Sequence, residues 1–134
     1  MVHTTTVPVR FSELDPYGHV NHAVYATYLE IGRVTALDAH GLGLTKVGAD
    51  GFQFVVVELR LRFRAPAEAD DVLTVETGVA EIKRVSTQWR QRIVRGEDIL
   101  VTADVRSAVT DRTGRPLRPP PWMIEALGPL RTDA

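Results

Sequence analysis

Cysteine is missing from this 134-residue chain. Its absence excludes disulfides, thiolate metal sites and a cysteine nucleophile. No apolar run approaches the roughly 20 residues that a bilayer-crossing helix needs, so no membrane partner is expected. Residues 1–6 have neither the charged start nor the apolar centre of a signal peptide, and the cytoplasm is the expected location. Sixteen basic and 17 acidic residues leave a net charge of −1, which argues against a chain-wide electrostatic grip on nucleic acid. There is no phosphate loop or dinucleotide fingerprint. Ser12, Ser86 and Ser107 lack the setting of a nucleophile elbow. Neither an internal repeat nor a linker divides the chain, so residues 1–134 read as a single domain.

Against these absences stands one dense stretch, Glu13-Leu14-Asp15-Pro16-Tyr17-Gly18-His19-Val20-Asn21-His22. Asp15-Pro16-Tyr17-Gly18 is a turn signal, because Pro presets φ and Gly tolerates φ > 0. Asn21 is a good N-cap, and a helix is expected from about residue 22 to 40, stopping at Gly41. A helix N-terminus offers unpaired N–H groups and the positive end of the macrodipole, which suit a developing oxyanion. Asp15 lies seven residues before His22, so its carboxylate can sit beside those donors and attack a carbonyl or activate a water. Turn and cap formation explain Asp15 and Asn21 without any chemistry, and that is the commoner meaning of such residues.

The rest of the chain supplies a sheet. Residues 4–11 alternate as a first strand, and Pro8, which cannot donate to a ladder, suggests a sheet edge. In the helix, Val24, Tyr28, Ile31 and Thr35 form one stripe and Tyr25, Leu29, Gly32 and Ala36 a second. So apolar a helix should be largely buried. Glu30 and Arg33, three apart, can pair on one face as a structural feature. Residues 41–52 read as a Gly-rich loop. Residues 53–64 alternate, with Gln53, Val55, Val57, Leu59, Leu61 and Phe63 on one face and Phe54, Val56, Glu58, Arg60, Arg62 and Arg64 on the other. Residues 71–81, 84–95 and 98–110 read as three further strands joined by hairpins at 82–83 and 96–97. A short helix over 122–127 and a frayed end over 131–134 close the chain. The fold class is α+β: one strand, one long buried helix, then four strands of an antiparallel meander.

Arg10-Phe11-Ser12-Glu13-Leu14-Asp15-Pro16-Tyr17-Gly18-His19-Val20-Asn21-His22, followed by Tyr25, Tyr28, Leu29, Glu30 and Arg33, resembles the opening of the 4-hydroxybenzoyl-CoA thioesterase family. The likeness is close over residues 7–33 and loose over the later strands. It implies the hotdog fold, a long central helix wrapped by a curved antiparallel sheet of about five strands. It also implies hydrolysis of an acyl-CoA thioester to a free acid and CoA. Alternatives on the same fold are an acyl-carrier-protein thioesterase and a non-catalytic acyl-CoA-binding module.

The resemblance assigns Asp15 as nucleophile or general base. It places at His22 a position where relatives carry a functional His or Tyr. The oxyanion donors are expected among the backbone N–H groups of Gly18, Val20, Asn21 and His22. Lys83 and Arg84 fall where relatives meet the phosphates of CoA. Arg60, Arg62 and Arg64, with Arg90 and Arg92, read as solvated faces unless a pocket lies beside them. Tyr17, Tyr25 and Trp89 are candidates for an acyl pocket, with core positions the plainer reading. His19, His22 and Asp15 superficially suggest a metal site, but the family implies neither metal nor cofactor. It does imply a homodimer or homotetramer, in which two subunits join their sheets and the site lies at their interface.

Overall fold

The computed structural model describes residues 1–132. Strand β1 (His3–Pro8) is followed by a 3₁₀ turn (Phe11–Glu13), the long helix α1 (Val24–Ala39) and a short helix α2 (Leu44–Ala49). Strands β2 (Gln53–Phe63), β3 (Val72–Ile82), β4 (Ser86–Arg95) and β5 (Asp98–Thr110) come next. Helix α3 (Pro121–Leu127), with Pro121 in its first turn, and a 3₁₀ turn (Gly128–Leu130) end the chain. All pairings in the five-stranded sheet are antiparallel, in the order β1-β3-β4-β5-β2. Among the described residues no helix is long and apolar enough to cross a membrane.

The expected order of elements holds, with differences of detail. Residues 41–52 are not all loop, since α2 occupies part of them and buries Val47 beside α1. The first strand stops at Pro8, because the chain turns at Phe11–Glu13. The hairpin after β3 has three residues, closed by Lys83 N–H donating to the Ser86 carbonyl at 2.7 Å. The expected frayed end is docked at Arg131 and Thr132, where Thr132 N–H donates to the Val79 carbonyl at 2.9 Å. The remaining two residues of that segment, 133–134, lie outside the described residues.

The most consequential difference is in β2. Val56 pairs with Ser107 and Glu58 with Arg106, so Val57 is an extra residue, a β-bulge. A single extra residue reverses the alternation beyond it. Phe54 and Val56 therefore share the concave face with Leu59, Leu61 and Phe63, opposite the inward residues Val109, Ser107, Val105, Ala103 and Val101. The basic rows go to the convex face, where Arg60 meets Glu58 (3.5 Å), Arg90 meets Asp104 (3.5 Å) and Arg92 meets Glu76 (2.6 Å). These exposed pairs stabilise little and mark a solvated surface.

α1 is seated on β1 and β3. Tyr25, Tyr28, Leu29, Gly32, Arg33, Ala36 and Leu37 face inward, so the second apolar stripe is the buried one. A Cβ built on Gly32 would lie 2.6 Å from Val75 Cγ1 and 2.7 Å from Thr77 Oγ1. Glycine is what lets the helix approach the sheet this closely. Gln91 reaches up from β4 at the same point. Its Nε2 donates to the Leu29 carbonyl and to Thr77 Oγ1, both at 2.9 Å. Its Oε1 accepts from Arg33 Nη1 at 2.9 Å. Arg33 thus turns to the sheet, and among the described residues it forms no ion pair with Glu30, which points outward. The helix ends as expected, with Gly41 at φ +75° and Leu42 N–H donating back to the Leu37 carbonyl at 2.8 Å.

The segment between β2 and β3 is clamped from below. Asp71 Oδ2 accepts from the Glu68 N–H and from Arg95 Nη1, both at 2.8 Å, and Arg95 also donates to the Pro66 carbonyl at 3.2 Å. The Glu68 N–H, and after it the Arg95 guanidinium, hold the Asp71 carboxyl below its usual range.

Two tests follow from this packing. Gly32→Ala gains about 1 kcal/mol of helix propensity but forces overpacking that costs about 1–3 kcal/mol. A net loss of stability is expected, read as a lower urea midpoint; a higher midpoint would show that the helix is not held against the sheet there. For Asp71, a lowered folded-state pKa contributes stability that is full above the ordinary carboxylate value near ~4 and is lost as pH falls through the lowered one. The melting temperature of Asp71→Asn should lie below that of the wild type at pH 7, and the gap should close on acidification. A gap independent of pH would remove the carboxylate from the account.

Candidate active site

The stretch from Glu13 to His22 folds into a tight loop that delivers Asp15 to the start of α1. Leu14 and Val20 bridge as the loop's two sides. Asp15 N–H donates to the His19 carbonyl at 2.6 Å, and its carbonyl accepts from Gly18 N–H at 3.0 Å. Gly18 stands at φ +78°, with nothing within 4 Å of an added Cβ. It is needed for the turn's left-handed backbone, and no protein atom crowds it. The Asp15 side chain braces the same loop, its Oδ1 accepting from Tyr17 N–H at 2.8 Å and His19 N–H at 3.1 Å. Oδ2 has no hydrogen bond among the described residues.

Glu13 ties this loop to the helix. Its Oε1 accepts from Arg10 N–H and from the Tyr28 hydroxyl, each at 2.8 Å, and its carbonyl accepts from Asn21 N–H at 2.8 Å. Burial, and then the Glu13 carboxylate beside it, push the Tyr28 phenol above its usual pKa. Tyr28 therefore stays protonated and serves as a fixed donor. Helix α1 begins at Val24, two residues later than expected, with Ala23 as its cap and no side-chain cap bond. Asn21 instead closes the turn that leads into it, its Oδ1 accepting from Ala23 N–H at 2.9 Å and its carbonyl from Val24 N–H at 2.9 Å.

The four backbone groups expected to hold an oxyanion are not equivalent. Gly18 N–H goes to Asp15, Val20 N–H to the Ala67 carbonyl at 2.8 Å, and Asn21 N–H to Glu13. Those three donors are engaged in building the loop, which corrects the expectation that they are open to a ligand. His22 N–H alone of the four has no partner among the described residues.

Asp15, His19, Val20 and His22 form one wall of a pocket of about 390 Å³. Tyr25 and the segment from Phe63 to Pro66 form the other. Tyr25 is buried, its ring edge-on to Phe63 at 5.4 Å, and its hydroxyl accepts from the Ala67 N–H at 3.0 Å. The phenol thus holds the 63–67 wall against the helix start. Of the other aromatic candidates, Tyr17 is 83% exposed, whereas Trp89 is buried beside a different cavity.

Arg64 is a pocket residue that the periodicity hid, because alternation assigned it to a solvated row. Its place at the end of β2, next to Pro66, was the available signal. Lys83 and Arg84 are exposed at the β3–β4 tip. The 11 residues of β3, at about 3.3 Å each, put that tip at the other end of the sheet from Asp15. One chain does not bring them to this pocket. Among the described residues no three His, Cys, Asp or Glu side chains are grouped to hold a metal ion.

The chain is about a third identical to several named proteins. It is 32% identical to the acyl-CoA thioester hydrolase YbgC of Escherichia coli over 95 residues, 71% of each chain. It is 31% identical to the chloroplastic acyl-acyl carrier protein thioesterase ATL2 of Arabidopsis thaliana over 88% of this chain, and spans 64% of that relative's length. Among solved structures, a probable thioesterase from Bartonella henselae matches at TM-score 0.86 and 32% identity, over 90% of this chain and all of that one. A protein from Thermus thermophilus, TT1821, matches at TM-score 0.90 and 38% identity over 96% and 98% of the two chains. The model of the thioesterase-like superfamily spans residues 9–127, from just before the Asp15 loop to the end of α3, and the protein is therefore a member of that superfamily, built on its hotdog fold.

Proposed function

We propose that this protein hydrolyses an acyl-CoA thioester at the Asp15 pocket. The observation that carries the reading is the pairing of a carboxylate with one free oxygen and, in the turn just before α1, the His22 N–H without a partner among the described residues, on the same pocket wall. In this reading the thioester carbonyl oxygen lies against His22 N–H, where the macrodipole stabilises the charge that develops on it. Asp15 Oδ2 attacks the carbonyl carbon or takes a proton from the water that does. The tetrahedral intermediate collapses, the C–S bond breaks, and CoA leaves as the thiolate. The water route gives the free acid directly, whereas direct attack leaves an acyl-aspartyl anhydride that a water molecule then hydrolyses to the free acid, restoring the Asp15 carboxylate. The YbgC likeness supports a CoA ester, and the ATL2 likeness supports including carrier-protein esters in the assay.

Asp15 has two tasks here, bracing its loop through Oδ1 and reacting through Oδ2. Asn keeps the first, because its amide oxygen still accepts from Tyr17 and His19. Asp15→Asn should therefore fold and bind but lose at least about 100-fold in kcat, read as free thiol released from short-, long- and aryl-acyl-CoAs. His22→Ala retains its backbone donor and should lose far less. Equal losses would shift the electrophilic role to the imidazole. A folded wild type that binds acyl-CoA and acyl-carrier protein without turnover would leave a binding module.

The assembly belongs to the same proposal. β2 is an edge strand whose outer side is unpaired in the sheet, and it exposes Val55, Val56, Val57, Leu59 and Phe63. A long apolar edge is an aggregation hazard unless another strand covers it. We take that strand to be β2 of a second copy, which extends the sheet and walls the pocket beside Phe63. A CoA-phosphate role for Lys83 and Arg84 requires such an assembly to bring one copy's hairpin tip towards another copy's pocket. Val57→Lys places a charge on the edge at a residue already 53% exposed. It should convert dimer to monomer in sedimentation with an unchanged circular dichroism spectrum. An unchanged sedimentation coefficient would move the interface elsewhere.

A further inference from the structure

A second cavity, of about 250 Å³, lies further along α1, between the helix and β2. Leu37, Leu44, Phe54, Val56 and Trp89 give it apolar walls. Trp89 Nε1 donates to Ser107 Oγ at 2.9 Å, so the indole's own polar group is satisfied and its ring is left as a wall. Arg33 lines the same space. It is 8% exposed, and among the described residues its side chain makes a single hydrogen bond, Nη1 to Gln91. A guanidinium has five N–H donors in a planar fork. Among the described residues only Gln88 Oε1 is a fully buried side-chain polar atom without a partner. The unbonded Arg33 N–H groups are therefore accessible where the residue lines the cavity, and Glu30, on the rim, does not pair with them. Burial lowers the Arg33 pKa, a pull that the nearby Glu30 charge only partly opposes.

We propose that this cavity binds a carboxylate-bearing amphiphile, the carboxylate on the Arg33 fork and the apolar stem against Trp89, Phe54 and Val56. Planar bidentate pairing is what a guanidinium offers a carboxylate. Two sources have this chemistry. One is a free acid. The other is the far carboxylate of an acyl chain whose thioester end sits at Asp15, and that source rests on the hydrolase reading above. Tyr25 and Arg33 are eight residues apart on α1, about 12 Å along its axis. The inner face of β2, from Phe63 through Leu61 and Leu59 to Val56, lines the way between the two cavities.

Trp89 is the reporter. In a Trp122→Phe background it is the only tryptophan. Octanoate should produce a saturable change in its fluorescence, and octanol none. Arg33→Gln should weaken octanoate binding about ten-fold, the loss of one charge-assisted contact. Glu30→Gln, which removes the competing charge, should tighten it. Asp15→Asn should leave it unchanged. Val34→Phe fills the space while keeping Arg33, and should abolish the signal; it carries the test if Arg33→Gln does not fold. To separate the sources, kcat/KM is compared for decanoyl-CoA and its ω-carboxy analogue. A loss in Arg33→Gln confined to the ω-carboxy ester identifies the acyl chain, whereas unchanged kinetics with lost octanoate binding identify the free acid. No saturable Trp89 response to octanoate, or one indifferent to both Arg33→Gln and Val34→Phe, overturns the proposal. A response in a protein that hydrolyses no thioester would leave it standing and remove the hydrolase reading instead.

Discussion

The seating of α1 at Gly32 is the contact on which the rest of the molecule depends. The helix can reach the sheet only where a side chain is missing, and there Gln91 binds it by the Leu29 carbonyl. Every polar atom of the Gln91 amide that the bonds describe is engaged, with Leu29, Thr77 and Arg33. A satisfied buried network of this kind allows one helix position rather than several, because sliding by one residue would strand the amide without partners. The start of α1, where the candidate active site lies, and the Arg33 cavity further along are positioned from this contact, with Tyr25 and Tyr28 fixing the helix start through Ala67 and Glu13. Because α1 lies over β1 and β3, β2 is left uncovered, which creates both the groove and the apolar edge.

In the proposed reading, the Asp15 loop joins a plain role and a chemical one in one side chain. As a turn former, Asp15 accepts two backbone N–H groups with one oxygen. That same bracing holds the second oxygen in a fixed direction, at no added conformational cost when a substrate arrives. The backbone of the loop follows a similar logic. Gly18, Val20 and Asn21 give their N–H groups to the loop and to Ala67, so the turn is rigid because most of its donors are occupied. His22 is where that closure stops and the helix has not yet begun to use its own N–H groups.

Local signals were legible where the cause was local. The Asp-Pro-Tyr-Gly turn, the Gly41 stop, the Gly96 hairpin and the limits of β5 all depend on residues within a few positions of one another, and the structure has them there. The Asn21 signal marks the turn before the helix rather than its cap. The differences have two causes, a broken register and long-range partners. Periodicity assumes an unbroken register, and the bulge at Val57 breaks it, which displaced Phe54 and Val56 from the face they share with Leu59. Arg33 was read beside Glu30 because the two are neighbours on a helix surface. Its actual partner, Gln91, is 58 residues away. The 63–66 wall of the pocket was missed for the same reason, since the Tyr25–Ala67 bond spans 42 residues and leaves no mark in either segment alone.

The uncovered strand also leaves the Asp15 pocket open along one wall. The Phe63 ring packs edge-on against Tyr25, yet Phe63 is still 54% exposed. An isolated chain therefore leaves one wall of the pocket wet, where the proposed hydrolysis would need water excluded. Stabilisation of a developing oxyanion is strong only where water is kept out. The edge that most needs a partner strand is thus the edge that most limits the chemistry. Covering β2 would answer the hazard of an exposed sheet edge and the solvation of the pocket in one step. That coincidence is a physical reason to look for the active species among assemblies in which β2 is paired, and it does not depend on which acyl group the pocket receives.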